Sequence, residues 1–153
     1  MGAVAKQAGV AAGTAHVHYE SKDELVYATY LEIKRELSEA VLPNVDLDAP
    51  RRQRFIQPWT GVYRHYRQEP ARAGFLAQLE ASPFSEEASR RLEQSGAPLL
   101  EQATRSVLIE LPMEVISALT LGVAVRLVAA GIDLSDPQIE SVAESCWRTV
   151  MVD

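Results

Sequence analysis

The chain has 153 residues and a mass of 16.8 kDa, which corresponds to one ordinary domain. Hydrophobic residues make up 47% and charged residues 24%, as in globular proteins, and the single Cys146 excludes an intrachain disulfide framework. The N-terminal segment lacks the basic and apolar regions of a signal peptide, and no apolar run is long enough to span a bilayer. We therefore expect a cytoplasmic protein without a membrane partner.

The net charge of −6 comes from 15 basic and 21 acidic residues, which argues against a protein that coats nucleic acid through bulk charge. The charge is unevenly placed, because residues 1–19 contain Lys6 and no acidic residue. This distribution leaves room for a local contact with nucleic acid in the N-terminal segment, which is therefore considered separately.

The sequence pattern predicts an all-α fold. Sustained alternation of polar and apolar residues is missing, whereas apolar residues recur at helical spacing. The first expected elements are two short helices, over residues 3–8 and about 12–19, and a long helix over about 22–42. Ser21 and Glu24 have the spacing of a capping box, in which the Ser21 hydroxyl accepts from the Glu24 amide and the Glu24 carboxylate reaches back.

Proline and glycine residues divide the rest of the chain into further helices. Pro58 predicts a kink or a late start in the first of them, and Ser85 is expected to cap the third. Gly96 marks an expected bend, Pro112 an expected first helical position and Gly131 an expected C-cap. These helices are expected over residues 51–68, 70–81, 85–111, 112–130 and from 136 to near the C-terminus.

The segment from Val4 to Leu25 is the most informative. A short helix, a turn at Gly9 and Val10 and a second short helix have the spacing of a helix-turn-helix. Gly9 permits the sharp turn, and Val10 fills the space between the helices. In such a motif the second helix presents one face to the major groove of DNA.

The longer string from Gly9 to Leu25 resembles the tetracycline-repressor (TetR-type) family of transcriptional regulators. The resemblance implies a helix-turn-helix region with a linker helix over residues 1–42, followed by an effector-binding and dimerisation domain over residues 43–153. In this family the last two helices of each of two subunits form a four-helix bundle, which holds the dimer together. The residues that match the family pattern in register are Gly9, Val10, Gly13, Thr14, Ser21, Lys22, Glu24 and Leu25.

The same resemblance implies which side chains face operator DNA. Thr14 would contact a phosphate, and Lys22 would bind one at the N-terminus of the long helix, where the helix dipole favours an anion. His16 takes the place of the family's usual Tyr, and Val17 would reach base edges only through apolar contact. The expected DNA-binding residues are Ala12, Thr14, His16, Val17, His18, Tyr19 and Lys22.

Two departures from the family pattern weaken the expected DNA contact. Ala15 replaces the usual Leu, and the family has a further helix ahead of the motif that brings basic residues to the DNA backbone. Here Lys6 and Lys22 are almost the only cations near the motif, and phosphate contacts supply most non-specific affinity. We therefore expect weak or absent DNA binding by this chain. A helical ligand-binding module that has lost DNA binding stays open as an alternative.

The resemblance also implies a pocket for a small hydrophobic effector, although the spacing of the aromatic residues fits plain core equally well. An effector would tilt the linker helix and change the separation of two recognition helices, which must match one turn of DNA, roughly 34–36 Å. His65 is a further polar candidate. The expected pocket residues are Trp59, Tyr63, Tyr66, Phe75 and Arg105.

The last two long helices carry more apolar surface than one partner helix needs. Large exposed apolar patches mark interfaces, and a two-fold homodimer is the default assembly. The expected interface residues are Leu119, Val123, Leu127, Val142, Trp147 and Val150.

No residue pattern predicts catalysis, a metal site or a cofactor. His16 and His18 are two positions apart and do not share a helix face. Cys146 lies on an apolar stripe beside Trp147, as a buried structural thiol does, and recognisable catalytic motifs are missing. We therefore expect a regulator and not an enzyme, with an unrelated helical-bundle enzyme as the remaining alternative.

Overall fold

The structure is a computed structural model that describes residues 21–96 and 110–151. Within these ranges the chain is helical and has no strand, which confirms the all-α fold. The two short helices expected over residues 3–8 and 12–19 lie outside the described residues. The described helices are α1 (Lys22–Val41), a 3₁₀ turn (Leu42–Asn44), α2 (Arg51–Gln68), α3 (Pro70–Glu80), α4 (Ser85–Gln94), α5 (Met113–Leu119), α6 (Leu121–Ala129) and α7 (Asp136–Val150).

The start of α1 confirms half of the expected capping box. The Ser21 hydroxyl accepts a hydrogen bond from the amide of Glu24 at 3.2 Å, with Ser21 in extended backbone. The other half is wrong, because both oxygens of the Glu24 carboxylate accept from Arg91 on α4 instead. A contact between distant helices has replaced a local one.

The core is built around α2, which carries an apolar stripe at positions i, i+4, i+7 and i+11. This helix starts at Arg51 and runs through Pro58, so of the two effects expected of Pro58, a kink or a late start, the late start is wrong and the kink stays a prediction. α6 packs against α2 and α3, and α7 packs against α2. The buried residues of the α2 stripe are Phe55, Trp59, Val62 and Tyr66.

α1 shares this core. It packs against α2 and α4, and Ile33, Leu37 and Val41 are buried in the same cluster as the α2 stripe. Residues 22–41 are therefore packed against the part of the chain that follows them. The division into regions 1–42 and 43–153 stays a prediction.

The turn between α3 and α4 differs from the expected one. Ser85 is the first helical residue and not the N-cap, which is Phe84 without a side-chain cap. Ser82 organises the turn, because its hydroxyl accepts from the amide of Phe84 at 3.2 Å and donates to the carbonyl of Leu79 at 2.7 Å. α4 ends at Gln94, just before Gly96, where a bend was expected and where φ is +63°. Residues 97–109 lie outside the described residues, so the expected continuation to residue 111 stays a prediction.

The helix expected over residues 112–130 is broken at Thr120, whose φ and ψ angles are −124° and −99°. Tertiary contacts supply donors for the carbonyls around the break. The indole nitrogen of Trp59 donates to the Thr120 carbonyl at 3.1 Å, and the Arg126 guanidinium donates to the carbonyl of Ala118. The Thr120 hydroxyl donates a hydrogen bond to the carbonyl oxygen of Ile116 at 2.6 Å. Two shorter helices, α5 and α6, result.

The end of α6 has the predicted glycine. Gly131 has a φ of +71°, its amide donates to the Val128 carbonyl at 2.9 Å, and the next amide, of Ile132, donates to Leu127 at 3.0 Å. These two bonds are the pattern of a Schellman motif, in which glycine avoids the steric cost of the left-handed conformation. The connection to α7 is therefore tightly defined, as expected for a glycine stop signal.

Candidate functional site

A partly enclosed cavity of about 210 Å³ lies among six of the described helices, α1 to α6. Its lining is mixed, with an apolar majority of leucine, valine and tyrosine side chains and a smaller set of serines and charged groups. This mixture is usual for small-molecule sites. The lining residues are Tyr30, Lys34, Leu37, Val62, Tyr66, Leu76, Leu79, Glu80, Ser85, Ser89, Leu92, Glu93, Glu114, Ser117, Leu121, Gly122 and Val125.

The two helices nearest the N-terminal motif contribute through regular spacing. Tyr30, Lys34 and Leu37 of α1 stand at i, i+4 and i+7, and Ser85 and Ser89 of α4 are likewise four positions apart. Residues at this spacing share one face of a helix. α1 and α4 therefore each present a single face to the cavity.

The charged residues of the cavity lining are mostly acidic. Glu80, Glu93 and Glu114 are exposed at its edge, whereas Lys34 is the only basic residue among the described lining residues. Lys34 is already engaged in an interaction within the structure. Glu80 has a basic neighbour outside the lining, since the Arg126 guanidinium lies 3.3 Å from its carboxylate.

Arg91 on α4 joins that helix to the first turn of α1. Its two terminal nitrogens each donate to one oxygen of Glu24 at 2.9 Å, and its Nε donates to Glu87 at 2.8 Å. The guanidinium carbon also lies 4.1 Å from the centre of the Tyr27 ring, which in turn meets Phe84 edge to face. The start of α1 is thus held by the helix that lines the cavity.

The hydrogen bonds of this cluster lower the pKa of two carboxyl groups. Donation by Arg91 lowers the pKa of Glu24, and donation by Arg90, followed by Arg91, lowers the pKa of Glu87. Both carboxyl groups therefore stay ionised at neutral pH, and the ion pair of Glu24 with Arg91, which connects α1 and α4, persists there.

The structure separates the aromatic residues expected to form the pocket. Tyr66 lines the cavity, whereas Trp59 and Phe75 are buried in the core and are not part of its described lining. Tyr63 instead borders a second, more open depression, which Ile132 also lines. Ligand binding by any of these residues stays a prediction.

The remaining polar candidates fall elsewhere. Arg105 lies outside the described residues, and His65 is half-buried, with its ring edge against Tyr66. Burial lowers the pKa of His65, and only the charge of Glu69 opposes that shift. His65 is not among the described residues that line the cavity.

Sequence reasoning missed the residues that α1 and α4 contribute to the cavity. The helical spacing of Tyr30, Lys34 and Leu37 was visible in the sequence. The spacing shows that these residues share one face of α1, but it does not show whether that face packs against the core or lines a cavity. The contributions of Ser85 and Ser89 were hidden for the same reason.

Of the expected DNA-binding residues, the structure describes Lys22 alone. Lys22 is exposed and is the first residue of α1, as the resemblance implied. Ala12, Thr14, His16, Val17, His18 and Tyr19 lie outside the described residues.

The expected interface residues differ in exposure: five are at least partly exposed, and one is buried. Leu119 is 38% exposed, and Val123, Leu127, Val142 and Trp147 are partly buried. Val150 is fully buried, so the expectation that it is partly exposed is wrong. The reason is its phase on α7, because it belongs to the inward stripe of Ile139, Ala143, Cys146 and Val150.

Cys146 is buried on that same inward stripe, and burial raises the pKa of its thiol. A thiol with a raised pKa is a poor nucleophile, which agrees with a structural role. Among the residues that the structure describes, no group of three or more histidine, cysteine or acidic residues is placed to hold a metal ion. None of the described helices is both long enough and apolar enough to cross a membrane.

Comparison with known proteins identifies the fold. An uncharacterised HTH-type transcriptional regulator from Haemophilus influenzae Rd is 26% identical over an alignment of 153 positions, covering 96% of this chain and 82% of that protein. The structure of a provisionally assigned TetR-family regulator from Shewanella sp. PV-4 matches with a TM-score of 0.70 at 22% identity, over 97% of this chain and 85% of that one. A TetR-family regulator from Haemophilus influenzae Rd matches with a TM-score of 0.62 at 24% identity, over 97% and 82%. No protein-family model matches the sequence.

The chain therefore has the fold of the TetR-family transcriptional regulators. The resemblance that rests on the string from Gly9 to Leu25 is confirmed by a likeness that extends over almost the whole chain.

Proposed function

We propose that the chain is a DNA-binding transcriptional regulator of the TetR type, a homodimeric repressor whose affinity for operator DNA responds to a small ligand. The observation that carries this proposal is the position of α1. The helix begins at Lys22, within the string from Gly9 to Leu25, and it lines the cavity with Tyr30, Lys34 and Leu37. A ligand in the cavity would therefore contact the helix that continues directly from the motif.

The Arg91 cluster offers a second path from the cavity to the motif. Ser85 and Ser89 of α4 line the cavity, and Arg91 on the same helix holds Glu24 in the first turn of α1. A ligand that favours one placement of α4 would shift the start of α1 with it. It must bind the two placements with different affinity to have any effect on DNA binding.

The homodimer is supported by the apolar residues at the surface of the C-terminal half. Leu119, Val115 and Ile132 are 38%, 41% and 45% exposed, and Val142 and Trp147 are partly buried beside the core. Apolar surface of this kind is typical of a protein interface. In a two-fold dimer, the ligand-dependent shift of α1 would change the distance between the two recognition helices, which for such dimers is roughly 34–36 Å.

The proposal is tested by selecting DNA from a random duplex pool with the full chain at low salt, followed by fluorescence anisotropy on the selected sequence. Because the motif has few cations, we expect binding to be weak, but at low salt it should still enrich a sequence with two related half-sites. Lys22→Gln should weaken binding for all sequences to a similar extent and reduce the slope of log affinity against log salt by about 0.9, the value for one lost phosphate contact.

Arg35→Gln is the matched control. It removes one positive charge from an exposed position further along the same helix, where Arg35 already pairs with Glu32 and Glu39. We expect little change in DNA affinity for this variant. If no sequence is enriched and neither substitution affects binding, the chain is better described as the alternative, a helical ligand-binding module without DNA binding.

A further inference from the structure

We propose that the cavity binds a small organic cation that carries an apolar tail. This inference rests on the proposed function, because it identifies the class of ligand to which the regulator would respond. The cavity combines three features that such a ligand requires: an acidic edge, an apolar interior and aromatic side chains.

The acidic edge determines the sign of the ligand's charge. Glu80, Glu93 and Glu114 bring three carboxylates to the described lining, against the single ammonium group of Lys34. Counting Arg126, which lies 3.3 Å from Glu80, still leaves an excess of negative charge among the described residues around the cavity. An excess of carboxylates at the edge of a partly enclosed site attracts a cation and opposes an anion.

Glu93 and Glu114 are the carboxylates best placed to bind the cationic group of the ligand. Both are exposed, and neither side chain forms a hydrogen bond or ion pair with another described residue. They lie on different helices, α4 and α5, so a ligand that contacts both would bridge the two. A cation held there keeps part of its hydration, which lowers the desolvation cost of binding.

The interior of the cavity suits an apolar tail. Leu37, Leu79 and Leu121 come from three different helices and line the cavity together with the aromatic side chains of Tyr30 and Tyr66. Aromatic rings attract organic cations in addition to burying apolar surface. At about 210 Å³, the cavity is smaller than the roughly 300–1,000 Å³ typical of drug-sized ligands, so short single-chain compounds are appropriate probes.

The experiment compares three compounds that share one tail and differ in the charge of the head group. Binding of octylammonium, octanol and octanoate to the full chain is measured by isothermal titration calorimetry at low salt. We expect octylammonium to bind at least about tenfold more tightly than octanol, and octanoate to bind most weakly. Added salt should reduce the advantage of the cation, because the acidic edge is exposed to solvent.

Variants then test which carboxylates are responsible. In the double variant Glu93→Gln and Glu114→Gln, we expect the advantage of octylammonium over octanol to fall severalfold while the affinity for octanol is unchanged. Glu86→Gln is the matched control, since Glu86 is also exposed on α4 but is not among the described residues that line the cavity. It should leave all three affinities unchanged.

Equal binding of the three compounds, tighter binding of octanoate, or binding of none of them would each overturn the inference. An unchanged head-group preference in the double variant would do the same. These outcomes are distinguishable from failure of the proposed function, because DNA selection is measured separately. A chain that binds DNA but prefers octanoate would remain a regulator with a different class of ligand.

Discussion

Trp59 illustrates how a single side chain serves the core and the backbone at once. It is fully buried, its ring is stacked on Tyr63 with ring centres 6.2 Å apart, and its indole nitrogen donates to the carbonyl of Thr120. The carbonyl also accepts from the amide of Val123, so the indole is the second of two donors at the helix break. Trp59 therefore contributes both buried area and a long-range hydrogen bond.

We expect Trp59→Phe to lower the free energy of unfolding by about 2 kcal/mol, through loss of this hydrogen bond and of buried ring atoms. The measurement is urea denaturation followed by circular dichroism. Trp147→Phe is the comparison, because Trp147 is partly exposed and donates no hydrogen bond within the described residues. Both variants are measured at several protein concentrations, since Trp147 is also an expected interface residue. Equal losses in the two variants would contradict the role assigned to the indole.

Arg91 gives a prediction about pH. Its hydrogen bonds lower the pKa of Glu24, so the ionised pair stabilises the fold above the ordinary pKa of glutamate, about 4.3, and this contribution is lost as the pH falls through the lowered value. We expect Arg91→Gln to be less stable than the parent at about pH 7 and the difference to narrow by about pH 3.5. A small difference independent of pH should remain from the lost contact with Tyr27.

The measurement is the midpoint of urea denaturation at a series of pH values. Arg35→Gln serves as the control, because the exposed pairs of Arg35 with Glu32 and Glu39 lie within one helix and such pairs contribute little. A stability difference for Arg91→Gln that is the same at both ends of the pH range would show that its ion pair with Glu24 is not involved.

At the scale of the secondary-structure elements, the sequence predicted what local signals determine. The starts of α1, α2, α3 and α7 agree with prediction, since a serine cap or a proline marks each of them. The break at Thr120 was not predictable in this way. It depends on Trp59, 61 positions away, and on Arg126, and no turn residue stands at the break itself.

Gly122, just after the break, supports a prediction about α6. A Cβ atom at this position would lie 2.8 Å from the carbonyl oxygen of Ser117 and 3.1 Å from the guanidinium of Arg126. Glycine to alanine substitutions within helices usually stabilise by up to about 1 kcal/mol. We expect Gly122→Ala to destabilise instead, by about 1–2 kcal/mol, because backbone has to move.

Thermal denaturation of Gly122→Ala tests this expectation. Gly61→Ala in α2 is the comparison, because the closest atom to its new Cβ would be a methyl group of Val41 at 3.0 Å, which is a side chain and not backbone. It should change the melting temperature less than Gly122→Ala. A stabilising effect of Gly122→Ala would contradict the prediction, because it would mean that the backbone accommodates the new Cβ beside the Ser117 carbonyl without loss of stability.

At the scale of the whole molecule, the interface is the main prediction. We expect Leu119→Glu and Val142→Glu to weaken the homodimer at least about tenfold without unfolding the chain, since each places a charge on the proposed apolar interface. Analytical ultracentrifugation measures the dissociation constant. Leu47→Glu makes the same change at a residue that is 61% exposed outside that face, and it should leave the dimer intact. A monomeric parent protein at micromolar concentration would contradict the proposed assembly.

The cavity shows why a site is harder to predict than a fold. Tyr66 was predicted because aromatic residues on a helix face are conspicuous, yet Trp59 and Phe75 satisfied the same criterion and lie in the core. The acidic edge comes from α3, α4 and α5, whose carboxylates are far apart in the sequence. Only the packing of α6 against α2 and α3 reveals which surfaces enclose a space.

The pairing of Glu24 with Arg91 also bears on the order of folding. The two residues are 67 positions apart, and closing a loop of this length costs chain entropy before the ion pair can form. We therefore expect the ion pair that links the first turn of α1 to α4 to form only once α4 has docked, whereas the Ser21 cap of the same turn can form locally. The amides of this turn should be among the earliest in α1 to exchange with solvent, because local opening there requires the loss of one surface cluster and not of the core.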